Sequence, residues 1–281
     1  MTTTDSFKVT IIGGGNIARG LLGGLLARSI DPERITVTAS TAATRAALAA
    51  DLGVQVSADN QAAIAGARVV VLAVKPQVMG EVTRSIAPGL RTARPLVISV
   101  AAGITTGQLR QWIGPGVPLV RAMPNRPAVI GAGATGMFAD ASVSEVGRAL
   151  ALELLGATGL ALWVGKEADL DLVTALSGSG PAYFFRLAEL MAEAAAAEGL
   201  DPAVARQLAA RTLAGAGQMV AAEASPDLAA MRAAVTSRGG TTAAALAQFD
   251  ASGLPATVVA AMRAAAERSR ELASQFGAAR G

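Results

Sequence analysis

The hydrophobic residues follow two different patterns along the chain. In the first half, short β-branched runs alternate with stretches in which apolar residues recur every three or four positions. This alternation predicts strands and helices in turn, as in a doubly wound α/β sheet. After Gly165 the spacing is helical throughout, so we predict an α/β domain over residues 1–165 and an all-α domain over residues 166–281. The strands are predicted at residues 8–12, 35–39, 53–56, 67–74, 96–100, 119–122 and 161–164, with further apolar pieces at 128–130 and 135–138.

A run of three glycines separates the first predicted strand from the first helix. Gly13 permits a tight turn, Gly15 allows a pyrophosphate to approach the backbone, and Ala18 keeps the helix close to the strand. The helix start, with Asn16 and Ile17, points free backbone N–H groups at an anion. This pattern is typical of a Rossmann-type dinucleotide-binding domain, although a glycine-rich turn can also be a plain strand-to-helix corner.

The end of the second predicted strand indicates which dinucleotide binds. An NAD site usually has an acidic residue about twenty positions after the glycines, where it binds the ribose 2′-hydroxyl. Here no acid follows the strand before Asp51. Ser40 and Thr41 can instead donate hydrogen bonds to a 2′-phosphate, and Arg45 can supply the positive charge. We therefore predict NADPH as the cofactor, with a solvated surface role for Arg45 as the alternative.

Further cofactor residues are predicted at the ends of other strands. Ligands of a doubly wound sheet bind beyond the carboxyl ends of its strands. This rule brings Asn60, the segment Val74, Lys75 and Pro76, and Ala101 to the same crevice as the glycine turn. Pro76 alone would indicate only the end of a loop. Its position beside the other strand ends favours a cofactor contact.

Composition narrows the possible chemistry. The 281 residues contain no cysteine and no histidine, which excludes disulfides and histidine-centred catalysis and argues against a metal site. The net charge of +3 comes from scattered arginines, and no basic run or aromatic platform indicates nucleic acid. The apolar stretch at 150–164 is interrupted by Glu153 and two glycines, so no membrane span is expected. The first six residues lack a signal-peptide pattern, and we expect a cytoplasmic protein.

The predicted all-α domain contains one long helix that is apolar or small on most faces. Pro181 lies in the first turn of this helix, which ends at Gly199. A helix of this composition needs burial on several sides. We therefore predict a bundle that self-associates, with a self-sufficient monomeric bundle as the alternative.

A loop rich in hydroxyl groups interrupts the helices of this domain. It contains Ser237, Gly239, Gly240, Thr241 and Thr242. Backbone N–H groups beside hydroxyls at a helix start form a nest for an anion, here suited to a small carboxylate. Taken alone, the same residues could be a helix cap preceded by a glycine turn.

Five motifs in this order resemble those of the pyrroline-5-carboxylate reductase family. They are Gly-Gly-Gly-Asn-Ile-Ala at 13–18, Ala-Val-Lys-Pro-Gln at 73–77, Met-Pro-Asn at 123–125, Ser-Gly-Ser-Gly-Pro-Ala at 177–182 and Gly-Gly-Thr-Thr at 239–242. The resemblance spans nearly the whole chain. It implies NADPH-dependent reduction of 1-pyrroline-5-carboxylate, a cyclic imine carboxylate, to L-proline by hydride transfer, the last step of proline biosynthesis. It also implies a homodimer unit with an all-α dimerisation domain, and larger rings of dimers.

The resemblance assigns roles within the hydroxyl-rich loop. It makes Thr242 the catalytic residue that contacts the substrate nitrogen, while Ser237, Gly239, Gly240 and Thr241 hold the carboxylate. A protonated C=N bond is already electrophilic, so hydride transfer needs positioning more than a strong acid. This chemistry suits a chain without histidine.

Two arginines depart from the family's usual pattern. Arg126 stands where Thr usually follows Met-Pro-Asn, and Arg238 stands where Pro usually precedes the two glycines. Arg238 is compatible with an acidic substrate, whereas Arg126 leaves another cyclic imine open. Two further classes of function also stay open. A β-hydroxyacid dehydrogenase relative needs a lysine on the long helix, where this chain has none, and a non-catalytic NADP sensor would bind without turnover.

Overall fold

The computed structural model describes residues 7–278. The first six residues, on which the predicted cytoplasmic location rests, lie outside this range. Within that range the chain forms eight strands and twelve α-helices. The first part alternates: β1 (Lys8–Ile12), α1 (Asn16–Ala27), β2 (Ile35–Thr38), α2 (Ala42–Leu52), β3 (Gln55–Ser57), α3 (Asn60–Ala63), β4 (Ala67–Leu72), α4 (Pro76–Ala93), β5 (Leu96–Ser99), α5 (Thr106–Ile113), β6 (Leu119–Met123), β7 (Gly133–Ala139), α6 (Glu145–Gly156) and β8 (Gly159–Trp163). The rest is helical: α7 (Asp169–Val173), α8 (Gly180–Ala197), α9 (Pro202–Ala221), α10 (Leu228–Ala234), α11 (Thr241–Ala251) and α12 (Leu254–Ala278).

The strands form a single sheet in the order β3-β2-β1-β4-β5-β6-β7-β8. Strands β1 to β6 are parallel, β7 is antiparallel to β6, and β8 is parallel to β7. The chain leaves β1 toward β2 and β3 on one side and continues with β4 on the other. This reversal creates a topological switch point, where ligands bind beyond the carboxyl ends of the strands. The predicted doubly wound α/β sheet is confirmed.

Helices cover both faces of the sheet because its central strands are apolar on both sides. On one face, Leu22 of α1 and Leu154 of α6 join Ile11 of β1 in a buried cluster. On the other face, Met79 of α4 packs in a second cluster with Val70 of β4. Successive strand residues point to opposite faces, and each strand therefore contributes to both cores.

Helix α4 is longer than its sequence suggests. We predict its end near Ile86, two residues before Pro88, but it continues to Ala93. Leu90 is fully buried against the sheet. The burial of this last apolar turn offsets the one backbone hydrogen bond that Pro88 cannot make.

The chain divides into two compact units whose limits differ from the predicted domains. The first comprises residues 1–179 and 265–281, and the second comprises residues 180–264. The first unit thus contains α7 and the end of α12 as well as the sheet. Ser269 of α12 donates a hydrogen bond to Asp171 of α7 at 2.7 Å. Periodicity places the boundary at the last strand because it cannot distinguish these helices from those of the second unit.

The second unit is helical, as predicted, and leaves large apolar side chains exposed. On α8, Phe184 and Phe185 expose 61% and 65% of their surface. The buried residues of that helix are the small Gly180 and Ala192. Large apolar side chains that are exposed together usually mark an interaction site.

Candidate active site

The turn between β1 and α1 requires a glycine at its first position. Gly13 has φ +108°, in the left-handed region, and a Cβ there would lie 2.8 Å from the carbonyl oxygen of Ala73. Its backbone N–H donates a hydrogen bond to the carbonyl of Thr38 at 3.1 Å. Gly13 is therefore wedged between the ends of β2 and β4. The turn places the start of α1 at the switch point of the sheet.

Gly15 serves a different purpose from Gly13. Its φ of −78° is accessible to any residue, and a Cβ there would meet no described protein atom within 4 Å. Neither backbone conformation nor packing of residues 7–278 therefore requires a glycine at this position. The open space lies at the N-terminus of α1, where close approach of a phosphate needs an absent side chain.

The start of α1 leaves backbone donors free. Six other helices begin with a side chain that accepts hydrogen bonds from their first turn, namely Thr41, Asp59, Thr105, Ser144, Asp201 and Asp227. Helix α1 starts on Gly15, and no side chain in the described part of the chain caps it. The N–H groups of Asn16, Ile17 and Ala18 thus lack the helical partners that later residues have. An anion such as a pyrophosphate satisfies these donors and the helix dipole.

The end of β2 brings two of the three predicted 2′-phosphate residues together. The guanidinium of Arg45 donates from one nitrogen to the carbonyls of Ala39 and Ser40, at 2.6 and 3.1 Å. Its other N–H groups have no hydrogen-bond partner among residues 7–278 and can donate to a ligand. Ser40 is exposed. The Thr41 hydroxyl instead caps α2, accepting from the Thr44 N–H at 3.2 Å and donating to the Thr44 hydroxyl at 2.8 Å. Ser40 and Arg45 are therefore the better placed pair.

The remaining predicted cofactor residues lie at one edge of the sheet. Asn60 opens α3 after β3, Val74, Lys75 and Pro76 connect β4 to α4, and Ala101 follows β5. Because β3, β4 and β5 are parallel, their carboxyl ends share this edge. Lys75 is exposed, whereas Ala101 is buried, so Ala101 can offer mainly its backbone.

The structure joins two sequence motifs through Asn125, a role that the sequence does not reveal. The Asn125 side chain donates a hydrogen bond to the carbonyl of Ser177, 52 residues away, at 3.0 Å. Its oxygen accepts one from the backbone N–H of Ala134 at 2.9 Å. A Cβ on Gly178 would lie 2.8 Å from the Met123 methyl carbon. Met-Pro-Asn and Ser-Gly-Ser-Gly therefore form one packed cluster beyond the end of β6.

The segment before α8 has an unusual backbone. Residues Thr174–Gly178 form a π-helical turn, in which Ser179 N–H donates to the carbonyl of Thr174 at 2.9 Å. The Ser177 hydroxyl donates to the Val173 carbonyl at 3.0 Å. π-Helical turns are rare in proteins, and many of those that occur lie at functional sites.

Glu167 fixes the loop that contains Ala101. Its carboxylate accepts hydrogen bonds from the backbone N–H and the hydroxyl of Thr106, at 2.7 and 2.6 Å. It also pairs with the guanidinium of Arg121 on β6 at 3.2 Å. The loop after β5 is thereby held to the neighbouring strand. The sequence suggests only an interdomain boundary at Glu167, because its partners are distant along the chain.

The hydroxyl-rich loop of the second unit forms a tight turn and a helix start. The N–H of Gly240 donates to the carbonyl of Ser237 at 3.0 Å, and Gly239 has φ +69°. Gly240 then opens α11, and no side chain within residues 7–278 caps that end. Thr241 and Thr242 occupy the first turn, the former exposed and the latter half-buried. The predicted anion nest therefore has free backbone donors beside hydroxyl groups.

The chain matches two family models and a known relative. Residues 8–103 match a family model described as NADP oxidoreductase, coenzyme F420-dependent, and residues 167–272 match one described as pyrroline-5-carboxylate reductase dimerisation. The pyrroline-5-carboxylate reductase of Pseudomonas aeruginosa is 44% identical over 271 residues, which are 96% of this chain and 98% of the relative. The chain belongs to the pyrroline-5-carboxylate reductase family.

Solved structures of the pyrroline-5-carboxylate reductase family have the same fold. The enzyme from Coxiella burnetii is 38% identical and superposes with a TM-score of 0.91, covering 95% of this chain and 98% of that one. The enzyme from Plasmodium falciparum, crystallised with NADP bound, is 26% identical with a TM-score of 0.79, covering 96% and 99% of the two chains.

Residues 7–278 contain neither a cluster of metal ligands nor a membrane-spanning helix. No group of three or more metal-ligating side chains lies together there. None of the helices in this range is both long and apolar enough to span a bilayer.

Proposed function

We propose that this protein reduces 1-pyrroline-5-carboxylate to L-proline with NADPH. The observation that carries the proposal is the 44% identity to a pyrroline-5-carboxylate reductase over nearly the full length of both chains. The free donors at the start of α1 and the Ser40 and Arg45 pair support NADP as the cofactor. No feature favours a hydroxyacid dehydrogenase or a non-catalytic sensor.

The first unit binds and orients the cofactor, which supplies the hydride when bound. The N–H groups of residues 16–18 hold the pyrophosphate, and Ser40 and Arg45 contact the 2′-phosphate. Asn60, residues 74–76 and Ala101 line the same edge of the sheet. The lack of an acid at the end of β2 removes the hydrogen-bond acceptor that a ribose 2′-hydroxyl needs, so NADPH is favoured over NADH.

The second unit binds the substrate. The hydroxyl of Ser237 and the backbone N–H groups of Gly239, Gly240 and Thr241 hold the carboxylate, while the Thr242 hydroxyl contacts the imine nitrogen. Because the protonated C=N bond is electrophilic, the chain's main task is to fix the ring before the cofactor.

The decisive experiment mixes the purified protein with NADPH and 1-pyrroline-5-carboxylate and follows the absorbance of the reduced nicotinamide while L-proline is measured. We expect equal amounts of NADPH consumed and L-proline formed. Binding of NADPH without turnover would indicate the sensor. A six-membered cyclic imine and a β-hydroxyacid are assayed in parallel, because a reductase of another imine or a hydroxyacid dehydrogenase would prefer one of these two compounds.

The family's dimerisation region indicates a homo-oligomer, and we propose a homodimer as its unit. The exposed Phe184 and Phe185 of α8 support this proposal. A groove of about 610 Å³ between α8 and α9, lined by residues such as Ala188 and Leu213, offers a further apolar surface. We also propose that these dimers assemble into a ring and that the protein is cytoplasmic. Light scattering measures the number of subunits directly.

A further inference from the structure

Arg126 lies beyond the carboxyl end of β6, where hydrogen bonds of the neighbouring residues hold the backbone in place. The preceding Asn125 is clamped by its hydrogen bonds to Ser177 and Ala134. The following Pro127 has a fixed φ, and its carbonyl accepts a hydrogen bond from the Ala132 N–H at 3.1 Å. The guanidinium therefore extends from a base that has little freedom to move.

The turn that begins with Arg126 packs directly on the phosphate-binding helix. Residues Arg126–Ile130 form a 3₁₀ turn, and a Cβ on Gly20 would lie 3.2 Å from the backbone Cα and N of Val129. Gly20 is about one helical turn beyond the uncapped start of α1 at Asn16. The turn and α1 thus approach backbone to backbone, and Arg126 lies at the same edge of the sheet as the start of α1.

No carboxylate in the described part of the chain neutralises Arg126. Its side chain is exposed and makes no ion pair or hydrogen bond with residues 7–278. The acids of neighbouring elements are already engaged: Glu167 pairs with Arg121, and Asp140 pairs with Arg110. The guanidinium remains free to bind an anionic group of a ligand with its planar fork of donors.

The strand order decides which anion Arg126 can reach. β6 lies four strand spacings from β2, or about 19 Å, on the opposite side of the switch point. That separation between the two strands favours the nicotinamide side of the cofactor for Arg126 over the 2′-phosphate beside Arg45. A dinucleotide lies across the switch point with its two halves on opposite sides. Arg126 is therefore on the nicotinamide side, where the substrate must meet the cofactor.

We propose that Arg126 binds the carboxylate of the cyclic imine and makes the site selective for anionic imines over neutral ones. The proposal rests on the proposed function and adds a charged specificity residue to it. Loss of a charge-assisted hydrogen bond of this kind corresponds to a roughly 10- to 100-fold fall in kcat/KM for 1-pyrroline-5-carboxylate. The neutral 1-pyrroline, which has no carboxylate, should be unaffected.

The test compares Arg126→Gln and Arg126→Lys with a matched control, Arg68→Gln. Arg68 is an exposed arginine near the start of β4, at the other edge of the sheet. We expect Arg126→Gln to lose the preference for 1-pyrroline-5-carboxylate over 1-pyrroline, Arg126→Lys to retain part of it, and Arg68→Gln to behave as the parent. The Kd for NADPH should be the same in all four proteins. An equal loss with both imines, an unchanged preference, or a raised Kd for NADPH would overturn the proposal.

A binding measurement separates this proposal from the proposed function. Calorimetry of L-proline with the NADP⁺ complex detects the carboxylate contact without turnover, and Arg126→Gln should weaken this binding about as much as it lowers kcat/KM. A parent that binds L-proline but does not reduce the imine would overturn the proposed function, while weaker L-proline binding by Arg126→Gln would still support the carboxylate contact. A parent and an Arg126→Gln variant with equal affinity for L-proline would overturn the proposal for Arg126 alone.

Discussion

The side-chain amide of Asn125 donates a hydrogen bond to the backbone carbonyl of Ser177 at 3.0 Å. The same side chain accepts one from the N–H of Ala134 at 2.9 Å, and Asn125 is only 8% exposed. One residue thus connects the end of β6, the start of β7 and the π-helical turn before α8. These three segments therefore pack together beyond the carboxyl end of β6.

We expect Asn125→Ala to lower the free energy of unfolding by roughly 1–3 kcal/mol, because the half-buried carbonyl of Ser177 and the half-buried N–H of Ala134 both lose this partner. Asn125→Asp should also destabilise the protein, since a carboxylate cannot donate to Ser177. Urea denaturation measures both effects. Gln111→Ala, at an exposed position of α5, is the control, and an Asn125→Ala variant as stable as this control would contradict the prediction.

The two glycines of the phosphate turn should fail in different ways when they are replaced by alanine. Gly13→Ala places a Cβ 2.8 Å from the Ala73 carbonyl oxygen at φ +108°, so we expect a large loss of thermal stability. Gly15→Ala meets no protein atom within 4 Å and should fold normally, but its Cβ occupies the space that a phosphate needs. Thermal unfolding and NADPH fluorescence titration separate the two effects. Normal NADPH affinity in Gly15→Ala would remove this glycine from the cofactor site.

Arg45→Ala should weaken NADPH binding and leave NADH binding nearly unchanged. The guanidinium is held at the end of β2 by the carbonyls of Ala39 and Ser40, where a 2′-phosphate distinguishes the two cofactors. We expect the KM for NADPH to rise roughly tenfold, equivalent to about 1.4 kcal/mol. If the parent protein uses NADH as well as NADPH, the predicted cofactor preference is wrong.

Thr242→Ala should lower turnover and leave NADPH affinity nearly unchanged. Thr242 belongs to the second compact unit, whereas the phosphate turn belongs to the first. Loss of one hydrogen bond to a polar ligand costs roughly 1–3 kcal/mol, or about a 5- to 150-fold fall in kcat/KM. Thr242→Ser keeps the hydroxyl and should recover much of the activity. Unaltered kinetics of Thr242→Ala on the imine would remove the residue from the site.

Mixed dimers test whether two subunits complete each active site. We expect Gly15→Ala and Thr242→Ala to have little activity separately at limiting NADPH, because each lacks one half of the site. If the 237–242 loop of one subunit serves the cofactor of its partner, co-refolding restores one intact site in each heterodimer. If subunits pair at random with two-fold symmetry, up to about a quarter of all active sites are then intact. Verified heterodimers without recovered activity would show that the pocket is made within one chain.

Features that depend on neighbouring residues can be predicted from the amino-acid sequence alone. The spacing of apolar residues predicts the strands and helices of the α/β region, and the glycines at 13–15 predict a turn because backbone conformation is a local property. Motifs spread along the whole chain predict the family, which the comparisons confirm. The absence of histidine and cysteine restricts the chemistry through composition alone.

Features that depend on contacts between different elements are visible only in the folded structure. The contact of Asn125 with Ser177 and the membership of the end of α12 in the first unit depend on partners far along the chain. The antiparallel direction of β7 depends on its pairing with β6. The separate tasks of Gly13 and Gly15 also require coordinates, since what a missing Cβ would touch is set by other strands. These arrangements are stabilised by burial and hydrogen bonding between segments. The spacing of apolar residues within one element does not predict such contacts.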